Sequence, residues 1–113
     1  MSWMDSSGNF WLFGGYGFDS TGREGNLNDL WKFNLTSKMW TWMSGSNAAS
    51  TNVNSNSGVY GTLGVAAATN TPGARSGAVS WMDSSGNLWL FGGDGTGSTN
   101  TSGDLNDLWR YQP

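Results

Sequence analysis

SWMDSSGNFWLFGG, at Ser2–Gly15, returns 78 positions later as SWMDSSGNLWLFGG, at Ser80–Gly93, with one change, Phe10 against Leu88. Extending the match without a gap, Ser2–Phe33 over Ser80–Tyr111 gives 22 identities in 32 positions. They cluster in SWMDSSGN, WLFGG and LNDLW, and the flanking changes are mild (Lys32/Arg110, Phe33/Tyr111). Between WLFGG and LNDLW the copies diverge at constant length, YGFDSTGREGN against DGTGSTNTSGD. A repeated framework with a varied loop is the pattern of a scaffold that presents loops.

The composition surrounding this repeat is that of an all-β protein. Among 113 residues there are 18 glycines and 8 tryptophans, while only 12% of residues are charged. Glycine, Ser, Thr and Asn supply turns, and no apolar spacing of 3–4 residues persists over three turns, so no long helix is expected. Strand a is read at Ala78–Met82, with Ser2–Met4 as its shortened first copy. DSSGN forms a tight turn into strand b, Phe10–Phe13 and Leu88–Phe91, each closed by a glycine pair, Gly14–Gly15 and Gly92–Gly93. Strand c is Asp29–Asn34 and Asp107–Gln112, and strand d is MWTWM, Met39–Met43, in the first copy only. The chain therefore divides into a first unit (1–43), a long Asn/Ser/Gly-rich connection (44–74) and a second unit (75–113). Successive antiparallel strands alternate direction, so the short a–b and c–d turns fall on one side. All the long segments (Tyr16–Asn26, Asp94–Asp104 and Ser44–Ala74) fall on the other, which marks that side as a binding surface.

This order of elements resembles the kelch repeat, the blade unit of a β-propeller. Four apolar residues precede a glycine pair in both units, spaced aromatics follow at Trp31 and Trp40 in the first, with Trp109 matching Trp31 in the second, and the PGAR stretch (Pro72–Arg75) is similar to the segment that opens a kelch blade. The resemblance implies propeller blades with Trp3 and Trp81 packed between them and Asp29 and Asp107 holding the start of strand c. Two departures stand out. The period is 78 residues, against about 50 for kelch repeats, and slightly less than two blades are encoded where a propeller has about four to eight. Either several chains complete one another or the sequence is a piece of a longer protein. The reading favoured is self-association: blades incomplete within one chain and completed by other chains.

The same residues narrow the function. Five basic against eight acidic residues, net charge −3, make no basic stripe for nucleic acid. No apolar run approaches the roughly 20 residues that span a bilayer. No signal peptide is read at the N-terminus, and the location is left open, with a lean toward the cell exterior or cell surface. Without histidine or cysteine there is no disulfide, no thiolate metal site and no histidine base. Some kelch propellers are oxidases, but the resemblance does not carry that activity over, since copper there needs histidine and a cysteine-linked tyrosine. A non-enzyme without cofactor or metal is expected. Asp5 and Asp83 are read as turn formers rather than as a calcium loop, which needs more carboxylates at fixed spacing. Candidate binding residues on the loop side are Tyr16, Phe18, Asp19, Arg23 and Glu24 in one copy and Asp94 and Asp104 in the other, together with Tyr60 and Arg75. Aromatic faces beside acids suit a peptide or a glycan; the alternative is a solvated loop, and for Arg75 a bridge between strands. Two readings thus stand side by side, a self-assembling structural module and a protein- or glycan-binding propeller fragment.

Overall fold

The computed structural model describes residues 1–51 and 56–113, so the centre of the Asn/Ser-rich run in the 44–74 connection lies outside the described residues. The described residues form ten strands and no helix, and every strand pairing is antiparallel. In the first unit β1 (Ser2–Met4), β2 (Phe10–Phe18), β3 (Glu24–Asn34) and β4 (Met39–Ser44) build one sheet in the order β1-β2-β3-β4. After β5 (Arg75–Ser76), the second unit repeats it without a fourth strand. There β6 (Val79–Met82), β7 (Leu88–Phe91) and β10 (Leu108–Tyr111) lie in the order β10-β7-β6. A third small sheet, β5-β8-β9, adds β8 (Asp94–Thr96) and β9 (Ser102–Asp104).

The turns follow from their side chains. The Asp5 carboxylate accepts the backbone N–H of Ser7 at 3.0 Å and of Asn9 at 2.9 Å and the indole N–H of Trp11 at 2.9 Å. Asp83 repeats the set with Ser85, Asn87 and Trp89. The repeated DSSGN thus closes its hairpin and also fixes the tryptophan two residues beyond it. In the c–d turn the Asn34 side chain accepts from the backbone of Thr36 and Ser37.

Strand b was expected to stop at the glycine pair and strand c to start at Asp29, but the first-unit ladder is longer. Gly14 and Gly15, at φ of 53° and 115°, form a bulge between Phe13 and Gly15, after which pairing resumes through Phe18↔Glu24. A bulge bends a strand without ending it, so most of Tyr16–Asn26 is hairpin rather than loop. In the second unit β7 does end at Phe91, and the corresponding segment pairs as β8 and β9 beside β5.

Period-two alternation gives each sheet two distinct faces. In the first unit Trp3, Trp11, Phe13 and Leu30 share one face, while Met4, Phe10, Leu12, Trp31, Phe33, Trp40 and Trp42 share the other. In the second, Leu88, Leu90, Trp109 and Tyr111 lie opposite Val79, Trp81, Trp89, Phe91 and Leu108. The hydrophobic core consists of Trp3, Trp11, Phe13 and Leu30 of the first sheet against Leu88 and Leu90 of the second. The core is therefore the contact between two repeat units.

Candidate functional site

Three surfaces are candidates: the long-segment side and the two sheet faces that the core leaves uncovered. On the long-segment side the expected binding residues separate into two groups. Arg75 and Tyr60 belong to the framework. Arg75 is fully buried; its guanidinium pairs with Asp107 at 2.5 and 2.8 Å and donates to Gly92 O at 2.9 Å and Gly73 O at 3.1 Å. The Tyr60 hydroxyl donates to the same carboxylate at 2.5 Å, and its ring packs 4.9 Å from that of Trp109. The indole N–H of Trp109 completes the set at 2.7 Å. Arg75 and Tyr60 are therefore both engaged with Asp107 within the chain. Burial works to raise the pKa of Asp107, but the bonds from Arg75, Tyr60 and Trp109 outweigh it and hold the group at about 2. Burial and the Asp107 carboxylate push the Tyr60 phenol up. Asp29 has the simpler form of this arrangement, a bond from Trp31 Nε1 at 2.7 Å.

The Asp19 carboxylate is also bonded within the chain. One oxygen accepts from the Thr21 and Arg23 backbone and the Thr21 hydroxyl, while the other accepts the Ala49 N–H at 2.9 Å, tying the hairpin to the connection. These bonds, Ala49 first, hold its carboxyl well below the usual range. Tyr16, Phe18, Arg23, Glu24, Asp94 and Asp104 remain exposed. Tyr16 and Glu24 border a polar cleft of about 400 Å³ with Asn26, Ser50, Thr96 and Ser102. Sequence reading missed Asn28, which is buried, donates to Pro72 O and accepts from Ser46 N–H. Its only local signal is its place in LNDLW.

Asp5 and Asp83 are held at about 2 and Asp107 likewise, whereas a general acid at neutral pH needs a raised carboxyl. Asp5 is lowered by its Trp11 and Asn9 bonds against an opposing burial effect, and Asp83 chiefly by the bond from Trp89. Among the described residues no three acidic side chains gather to hold a metal ion.

The uncovered sheet faces are apolar, and they mirror the core. Residues 78 positions apart have opposite burial. Trp3 is 8% exposed and Trp81 42%; Phe13 is 4% and Phe91 45%; Leu30 is 5% and Leu108 55%. On the reverse faces the order inverts, with Leu88 at 2% against Phe10 at 43% and Leu90 at 4% against Leu12 at 42%. Trp3 lies between the two units, its Nε1 donating to the carbonyls of Trp81 and Trp89, both at 3.1 Å. Trp81 instead stacks on Trp89 at the outer surface, rings parallel within 1° and 5.9 Å apart. Arg110 lies over Trp89 as Lys32 lies over Trp11. No helix among the described residues is long and apolar enough to cross a membrane. In comparisons with known proteins no family model matches the chain, and neither does any curated protein or solved structure.

Proposed function

We propose that the chain is a non-enzymatic, kelch-like module that self-associates through its blades into a propeller ring or an extended assembly, with its b–c hairpins presented on one side. The observation that carries this reading is the pair of apolar sheet faces left open on opposite sides of the two units. A buried aromatic covers about 150–250 Å², so at about 25 cal/mol per Å² covering several half-exposed tryptophans and phenylalanines favours association strongly. Contiguous patches of this kind on soluble proteins mark interaction sites. Association that stabilises only the folded chain makes stability depend on concentration. The urea midpoint, followed by tryptophan fluorescence, should therefore rise over a hundredfold increase in chain concentration. A midpoint that stays constant contradicts the reading.

A second reading is favoured by the polar cleft, where the exposed Tyr16 ring stands beside amide and hydroxyl groups of Asn26, Ser50, Thr96 and Ser102. An aromatic platform with convergent polar groups suits a glycan or a peptide. Glycan and peptide arrays probed with the wild-type chain and with a Tyr16→Ser/Phe18→Ser variant test it. Binding that the variant loses supports it, and no binding by either chain removes it.

A further inference from the structure

Resting on the self-association reading, we infer that copies of this chain dock head to tail: the Trp81 face of one copy's second unit covers the Phe10 face of the next copy's first unit. The chain already contains this contact once. Inside it the Trp3 face of the first unit sits on the Leu88 face of the second. The open Trp81 face is the 78-residue counterpart of the first of these, and the open Phe10 face is the counterpart of the second. The counterparts are nearly the same surfaces. Trp3/Trp81, Trp11/Trp89, Phe13/Phe91 and Leu30/Leu108 are identical on one side. Leu12/Leu90 and Trp31/Trp109 are identical on the other, where Phe10/Leu88 and Phe33/Tyr111 change only mildly. Two surfaces that fit each other within the chain fit each other between chains.

The equivalence specifies the contact in detail. Trp3 Nε1 donates across the internal contact to the carbonyls of Trp81 and Trp89. Between chains, Trp81 Nε1, which no carbonyl accepts among the described residues, donates to the carbonyls of Trp3 and Trp11 of the next copy. The internal Trp11–Tyr111 ring pair, 5.5 Å apart, returns as Trp89 against Phe33 of the next copy. Trp40 stands on β4, which has no counterpart in the second unit, so the internal contact assigns it no partner. A contact between two different surfaces of the same chain is heterologous, so it closes into a ring or extends as a filament. With two units per chain, the roughly four to eight blades of a propeller correspond to roughly two to four copies.

Head-to-tail docking is separable from any other self-association by mixing variants, each with one face spoiled. Trp81→Glu keeps a usable Phe10 face, and Phe10→Glu keeps a usable Trp81 face. Each alone should be monomeric by light scattering, its self-association weakened at least about a hundredfold by a charge placed in an apolar contact. Their equimolar mixture should form a 1:1 complex and nothing larger. Leu108→Glu mixed with Leu12→Glu repeats the test on different, exposed positions. If either single variant still self-associates, the contact joins like surfaces and the head-to-tail arrangement is wrong while self-association stands. If both variant pairs stay monomeric when mixed, head-to-tail docking is overturned. A monomeric wild type overturns both readings.

Discussion

Replacing Arg75 by methionine tests the framework account at its most buried charge. The substitution removes both bonds to Asp107 and those to Gly92 and Gly73. It keeps an apolar stem of similar length. The Asp107 side chain is 13% exposed and retains only the Tyr60 and Trp109 donors. Breaking a buried pair by removing one partner costs about 3–5 kcal/mol; the two remaining donors place this case near about 3 kcal/mol. A urea slope of about 1–3 kcal/mol per molar makes that a midpoint lowered by roughly 1–3 M, read by tryptophan fluorescence at one fixed chain concentration. Arg75→Lys keeps the charge but not the two-pronged geometry, and should fall between wild type and methionine. Removing the stranded carboxylate as well, in Arg75→Met/Asp107→Leu, should recover at least about 1.5 kcal/mol relative to the sum of the single changes. A methionine variant within about 1 kcal/mol of wild type, or strictly additive single changes, would mean that Arg75 and Asp107 do not hold the fold as a pair.

The acid arm of stability follows from the carboxylates held at about 2, Asp5, Asp83 and Asp107. Their folded values lie below the unfolded one of about 3.9, so the stability they add is complete above about pH 4 and is lost as pH falls through 2. Urea midpoints between pH 7 and 2 should decline over that window, and less steeply in Arg75→Met. Trp3→Phe removes the donor from two partly buried carbonyls and should cost about 1–2 kcal/mol; Trp81→Phe, with no such acceptor among the described residues, should leave an isolated chain's stability nearly unchanged. Urea titrations of the two at high dilution check the contrast. Gly14→Ala should cost at least about 1–2 kcal/mol, because Gly14 is left-handed and a Cβ there would sit 2.5 Å from Leu27 O; a Tm unchanged from wild type contradicts this.

The strand plan was legible because the repeat doubles every signal. WLFGG and LNDLW each appear twice, and the alternation that sets Trp3 and Trp11 against Phe10 and Leu12 fixes which residues share a face. The DSSGN turns were legible because an aspartate beside Ser and Gly bonds its own loop. The glycine pair read as a strand end, since two consecutive glycines weaken a strand; that β2 survives as a bulge depends on β3 lying beside it. The Arg75–Tyr60–Asp107 group was not legible. It joins residues 32 and 47 positions apart, and brings Tyr60 of the connection onto Arg75 and Asp107 of the second unit, an approach that no local pattern sets. The opposed burial of identical residues was hidden as well, because repeat equivalence predicts like environments. Only the arrangement of the units reveals that each face is covered in one copy and bare in the other.

Whether this chain completes itself with further copies of itself can be read from its native mass in light scattering across a range of concentrations. Self-completion gives a discrete multiple of the chain mass, roughly two to four copies for a closed ring, or continued growth with concentration if the contact does not close. A single-chain mass at every concentration would contradict it.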